Sequence, residues 1–143
     1  MSDQTRVSFE APSTFAGLAQ IRQAIQSAAQ AHQINRLKIY QTLVAVEESC
    51  SNIIRHASAA RCARPLSFDV EASIRQMTVL IKDVGIPFDL VSYPSSDAAA
   101  LALRNRSREG YGIHLIKSLV DRYEYVTNGK GETHLLLTKF FEA

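Results

Sequence analysis

Val44-Ala-Val-Glu-Glu-Ser-Cys-Ser-Asn-Ile-Ile-Arg-His-Ala57 is the stretch around which the rest of the chain is organised. Upstream and within it, Ile39, Leu43, Val46, Cys50, Ile53 and Ala57 recur at alternating steps of four and three. That spacing predicts a helix with an apolar stripe fit to lie on a core. Glu48, Asn52, Arg55 and His56 fall on roughly the opposite side. There, side chains at i and i+4 stand one above the other. A carboxylate one turn before a carboxamide, followed by a guanidinium and an imidazole, suits metal ions and phosphates. Taken alone, the same spacing describes an ordinary solvated helix face more economically.

Working outward, residues 6–11 read as a first strand, ended by Pro12. Ser13 is placed to cap a helix over residues 14–32, with Phe15, Leu18, Ile21 and Ile25 on one side. Asn35 is placed to cap the central helix over 36–57. Residues 58–65 form a small-residue loop that carries arginines. From 66 to 75 the chain alternates strictly: Leu66, Phe68, Val70, Ala72 and Ile74 against Ser67, Asp69, Glu71, Ser73 and Arg75. That pattern is a half-buried strand with one wet face. Residues 77–83 supply the next strand, in hairpin distance, and Gly85-Ile-Pro-Phe-Asp89 breaks the sheet.

Residues 91–109 carry the weakest pattern, with a short helix expected over 97–103. Gly110-Tyr-Gly112 then opens onto an apolar helical run of Ile113, Leu115, Ile116, Leu119 and Val120. Residues 123–127 and 133–141 read as strands joined across Asn128-Gly-Lys-Gly131. Strand, two helices, two strands, a loop with a helix and two strands predict a two-layer α+β sandwich. Its sheet is expected to be mixed but mostly antiparallel, with the helices on one face.

Composition narrows the function classes. The 143 residues fit a single domain spanning 1–143, and 46% hydrophobic with 21% charged residues is ordinary for a globular protein. A net charge of +2 from 16 basic and 14 acidic residues gives no case for direct nucleic-acid or membrane binding. Cys50 and Cys62 do not make a disulfide framework, and no Cys/His spacing suggests zinc. No secretory signal is visible at Met1-Ser-Asp-Gln, and no apolar run approaches the ~20 residues of a membrane span. A cytoplasmic location and reduced thiols are therefore expected.

Four short motifs carry chemistry. Asn52 can offer an oxygen to Mg²⁺, a hard cation that takes few protein ligands, and Glu48 a carboxylate to accept a proton. Glu47, on the edge of the apolar stripe, is the weaker candidate. Asp83-Val-Gly85 ends an apolar strand, where an acceptor-only carboxylate can take a hydrogen bond from an exocyclic amine such as adenine's. Gly85 would let the backbone approach the base closely, though a plain Asp-x-Gly turn has the same letters. Gly110 and Gly112 before a helix free backbone N–H groups for phosphate, with Arg104, Arg106 and Arg108 just upstream. Thr133 follows a glycine turn and could present a hydroxyl to the base or simply be a β-branched strand residue. His114 and His134 lack the partner spacing of metal ligands and read as surface or packed histidines. Each signal is weak alone; their order along one chain is not.

That series resembles the GHKL ATPase superfamily, the ATP-binding fold shared by histidine kinases and gyrase-type topoisomerases. Within it the chain is most similar to the anti-sigma factor serine kinases of the RsbW/SpoIIAB type. Glu48-Ser-Cys-Ser-Asn52-Ile-Ile-Arg-His56-Ala57 matches their N box. Lys82-Asp83-Val-Gly85-Ile-Pro-Phe88-Asp89 matches the first glycine box, Glu109-Gly110-Tyr-Gly112-Ile-His-Leu-Ile116 the second, and Gly131-Glu-Thr133 the final threonine motif. The resemblance implies a Bergerat-type sandwich that binds ATP and Mg²⁺, with Asn52 on the metal and Glu48 as the catalytic base. It implies Asp83 and Thr133 on adenine, Gly110 and Gly112 on phosphates, and Arg22 near the γ-phosphate and substrate.

The implied activity is phosphorylation of a STAS-domain anti-anti-sigma partner by a homodimeric kinase that also sequesters a sigma factor. A non-catalytic ATP-binding switch that docks to a phosphatase or another regulator is the rival expectation. Pro87 stands where many relatives have a second glycine, although the serine-kinase branch often lacks it. His114 replaces a glycine common in histidine kinases, which leans away from that branch.

Overall fold

The computed structural model describes residues 4–32, 34–56, 59–84 and 108–141. In chain order its elements are β1 (Thr5–Ala11), a 3-10 turn (Phe15–Gly17), α1 (Leu18–Gln30), α2 (Arg36–His56) and α3 (Ala59–Cys62). They continue with β2 (Leu66–Ala72), β3 (Gln76–Lys82), α4 (Arg108–Leu119), β4 (Arg122–Thr127) and β5 (Thr133–Phe140). The strands form one sheet in the order β1-β2-β3-β5-β4.

Every pairing of that sheet among the described residues is antiparallel, in keeping with the mostly antiparallel sheet expected. Two hairpins, β2–β3 and β4–β5, set the directions of four strands, and the sheet joins them by pairing β3 with β5. The period of two in the sequence then becomes rows across the sheet. Val7, Val70, Val79, Leu137 and Tyr123 are successive partners, as are Phe9, Phe68, Ile81, Leu135 and Tyr125. These rows face the helices. Phe9 stacks on Phe68 with ring centroids 4.9 Å apart, and Phe68 is fully buried. Ile74, counted with the apolar side of the strand, lies past its end and is exposed.

The other layer is helical. α1 buries Ile21, Ile25, Ala28 and Ala29 and packs on β1, β2 and α2. Its entry departs from expectation. Thr14, not Ser13, caps the 3-10 turn that leads into α1, its hydroxyl accepting the Gly17 N–H at 3.3 Å. α1 itself starts after Gly17 without a side-chain cap. The Ser13 hydroxyl instead donates to the Arg64 carbonyl at 2.5 Å, tying this corner to the segment that leads into β2. Phe15, expected on the buried side of the helix, sits in the 3-10 turn and is exposed. Gly17 is required here, because a Cβ would stand 2.2 Å from the Pro12 carbonyl oxygen.

Asn35 caps α2 as expected, its Oδ1 accepting the N–H of Leu37 at 2.8 Å and of Lys38 at 3.4 Å. Leu43, Val46, Cys50 and Ile53 bury the predicted stripe. α2 also packs against α1, α4 and β5, so it is enclosed on more than one side. α4 buries Ile116 and runs to Leu119, whose carbonyl accepts Lys139 Nζ at 2.6 Å. Asp121 continues the tie, donating its N–H to the Thr138 carbonyl and accepting the Phe140 N–H on its carboxylate. Burial pushes the Lys139 ammonium below the ordinary lysine range, with the Asp121 charge opposing and Lys38 reinforcing. No helix among the described residues is long and apolar enough to cross a membrane.

Candidate functional site

The polar side of α2 is not the solvated face its spacing allows. Asn52 is only 3% exposed, and Glu48 and Arg55 are half-buried. Arg55 Nη2 donates to Asn52 Oδ1 at 2.7 Å, one helical turn away, while Arg55 Nε is buried without a hydrogen-bond partner. A surface helix needs none of this. A carboxamide oxygen accepts two hydrogen bonds, so Asn52 Oδ1 keeps one lone pair beyond Arg55. That oxygen is a hard donor of the kind Mg²⁺ accepts alongside water and phosphate, and Glu48 stands one turn earlier on the same helix. Among the described residues, no group of three or more His, Cys, Asp or Glu side chains could hold a metal by itself.

Arg22 reaches α2 from α1, but its guanidinium closes on Glu47: Nε and Nη2 both lie 2.6 Å from Glu47 Oε1. The same carboxylate adds to burial in pushing the Cys50 thiol far above its ordinary range.

At the far end of β3, Asp83 has a φ of 49°, in the left-handed region that a non-glycine residue seldom occupies. Three groups hold it there. Its N–H donates to His134 Nδ1 at 2.8 Å, its carbonyl accepts Arg61 Nε at 2.5 Å, and its carboxylate pairs with Arg64 Nη1 at 2.6 Å. The next N–H, of Val84, donates to the Thr133 carbonyl at 2.9 Å. Asp83 and Thr133, fifty residues apart in sequence, are thus neighbours.

Arg61, Arg64 and His134 were not singled out as site residues by the sequence. The expected loop over 58–65 contains the single-turn α3, which delivers Arg61 to a position only 5% exposed. Its Nη atoms also reach the carbonyls of Arg64, Pro65 and Lys82 at 3.2 to 3.4 Å. Burial lowers the Arg61 proton affinity, the Arg64 charge lowers it further, and Asp83 opposes. Arginines in a small-residue loop were visible, but no sequence pattern aimed them. Arg61, Arg64, Lys82, Asp83, Glu132 and His134 line a recess of about 410 Å³ here.

Gly110 and Gly112 lie inside α4, which starts at Arg108, rather than in a loop before it. Gly110 is among the first four residues, whose N–H groups lack partners within the helix; Gly112 is beyond them. The packing of α4 on α2 sets this glycine segment's helix against the helix of Glu48 and Asn52. Gly85, Pro87, Arg104, Arg106, the expected short helix over 97–103 and Ala57 fall outside the described residues.

An antiparallel sheet with helices on one face, Glu48-x-x-x-Asn52 on the central helix and glycines on the helix beside it, defines a sandwich of the ATPase kind. The chain belongs to the histidine kinase-like ATPase domain family, whose sequence profile matches residues 11–139. Among solved structures, it is similar to a chain in the crystal structure of the SiaB-SiaC complex from Pseudomonas aeruginosa, with a TM-score of 0.55. That alignment covers 94% of this chain and 89% of the other at 14% identity, a likeness of fold. No curated protein sequence matches the chain.

Proposed function

We propose that the chain is an ATP-dependent protein serine kinase and anti-sigma factor of the RsbW/SpoIIAB type. Its substrate is a serine of a STAS-domain anti-anti-sigma protein, and phosphorylation releases that partner and frees the kinase, as a cytoplasmic homodimer, to sequester a sigma factor. Membership of the histidine kinase-like ATPase family supports nucleotide use. The observation that carries the reading is the junction at Asp83 and Thr133, where the Val84 N–H meets the Thr133 carbonyl. Two motifs that the resemblance assigns to one adenine meet there. That the fold neighbour was solved as a two-protein complex is in keeping with a protein partner.

In this reading Asp83 accepts from the adenine amine and Thr133 holds the base through water. Asn52 holds Mg²⁺, and the amide of Gly110, among the open N–H groups at the start of α4, receives the phosphates. Bound metal neutralises charge on the phosphates during transfer. Glu48 takes the proton of the attacking serine hydroxyl. Arg22, whose guanidinium meets Glu47 between α1 and α2, would stand near the γ-phosphate.

Transfer of radiolabelled γ-phosphate to a STAS-domain anti-anti-sigma protein from the same organism tests the proposal. Transfer by the wild type is expected, with loss in Glu48→Ala. Retained ATP binding without transfer would sink the kinase and leave the non-catalytic switch. Undiminished transfer by Glu48→Ala would remove Glu48 as base and leave the enzyme class standing.

A further inference from the structure

Asp83 is held at its amide, its carbonyl and its carboxylate, each by a residue from outside its own strand. We infer that His134 is a positioning residue for the nucleotide base: by accepting the Asp83 N–H it fixes the left-handed turn from which the Asp83 carboxylate reads adenine. This rests on the nucleotide reading of Asp83 given above.

The chemistry of the contact is one-sided. A backbone N–H can only donate, so His134 Nδ1, 2.8 Å away, must carry no proton. The neutral ring then carries its proton on Nε2. Asn128 Nδ2 donates to Glu132 Oε1 at 2.7 Å and lies 3.3 Å from Nε2, but with the ring proton on Nε2 those two nitrogens face each other as donors and do not bond. The amide therefore has one acceptor, and the tautomer is dictated by it.

The turn needs such a hold. A left-handed φ of 49° in a residue with a Cβ is disfavoured and persists only where its surroundings impose it. Arg61 and Arg64 supply part of that constraint, but both come from the segment before β2. His134 comes from β5, one residue after Thr133, whose carbonyl takes the next N–H of the turn. Two successive N–H groups of the β3 end are thus received by two successive residues of β5. This couples the position of the Asp83 carboxylate to that of Thr133. The ring contributes nothing that touches the base; it sets where the base-reading group stands.

The test has a ligand-free arm and a ligand arm. In nucleotide-free wild type, long-range ¹H–¹⁵N correlation of the histidine rings should find His134 Nδ1 unprotonated, and hydrogen exchange should find the Asp83 amide protected. His134→Phe should speed that exchange and weaken binding of fluorescent mant-ADP, each by roughly tenfold, as for the loss of one hydrogen bond. It should also narrow the preference for mant-ADP over mant-GDP. His134→Asn, whose carboxamide oxygen can stand in for Nδ1, should restore both. A proton on Nδ1 in the wild type would overturn the inference. So would a folded His134→Phe variant with wild-type binding and base preference. A wild type that binds no mant-ADP would instead overturn the nucleotide reading itself, while the ring and amide measurements still decide whether His134 holds the turn.

Discussion

Arg22 and Glu47 meet through a single carboxylate oxygen, with Nε and Nη2 of the arginine each 2.6 Å from Glu47 Oε1. The pair separates two neighbouring glutamates by role. Glu47 is committed to a cation on α1, while Glu48, on the next position round the helix, is the one aligned with Asn52.

Glu48→Ala should lower phosphoryl transfer by about 10² or more, the ordinary cost of losing a general base. Glu47→Ala should leave the chemical step close to wild type. With side chains 42% and 24% exposed, the Arg22–Glu47 pair should show a coupling of at most about 1 kcal/mol in a double-mutant cycle of urea unfolding. A Glu47→Ala variant as inactive as Glu48→Ala would reverse the assignment.

Asn52→Ala strips the partner from Arg55 Nη2, on a guanidinium whose Nε is already unpartnered. The expected cost is about 1–3 kcal/mol in stability, together with loss of the Mg²⁺ dependence of nucleotide binding. Asn52→Asp should keep the stability, because the carboxylate pairs with Arg55, and should keep the Mg²⁺ dependence as well, because a carboxylate is itself a hard oxygen donor. Chemical denaturation and titration of mant-ADP with and without Mg²⁺ measure the two quantities.

These residues also mark how far the sequence could be read. The alternation from Leu66 to Ala72 and the stripe from Leu43 to Ile53 were legible because local periodicity decides which side is buried. The Asn35 cap and the Asn128 hairpin were legible because a short polar side chain bonds its own backbone: Asn128 Oδ1 accepts the N–H of Lys130 and Glu132. Asn52 was singled out on a helix face that could have been wet, and it is buried. Only the arrival of α4 and the other packed elements enclosed that helix, and helix periodicity is silent about a second layer. The roles of Arg61 and His134 were illegible for the same reason. Both act on Asp83 across 22 and 51 residues of sequence, through backbone groups that leave no trace in residue type.

Acid should weaken the fold partly through Asp69. Burial raises its proton affinity, but the Ser8 hydroxyl at 2.7 Å and Lys82 at 3.0 Å outweigh it, so the carboxyl lies below its ordinary value. A carboxyl lowered in the folded state stabilises above its unfolded value, about 3.9, and loses that contribution as pH falls through the folded value. The stability gap between wild type and Asp69→Asn should therefore be level near neutrality and shrink below about pH 4. Both partners are half-exposed, so the gap should not exceed about 1 kcal/mol.

The two thiols should behave differently. Cys50 is fully buried, and burial followed by the Glu47 charge keeps it protonated, so it should resist alkylation in the native protein. Cys62 is half-buried, with Sγ 3.7 Å from the Ile54 carbonyl, and should be the thiol modified first. Intact-mass measurement should find Cys50 modified only after denaturant is added. Rapid native labelling of Cys50 would contradict the enclosure of α2.

β5 is the last described strand along the chain yet lies inside the sheet, between β3 and β4. A nascent chain that has produced β1, β2 and β3 already holds every strand needed for the β1–β2 and β2–β3 pairings. The far edge of β3, with Met77, Val79 and Ile81 along it, then waits for residues more than fifty positions later. Through that interval the young chain carries an open, apolar strand edge that can recruit a second chain. The same arrangement joins the halves of the base-binding corner at the final step, since Asp83 meets Thr133 and His134 only when β5 docks. Competence to bind nucleotide would then report completed folding, and an incompletely folded copy would be silent rather than partly active.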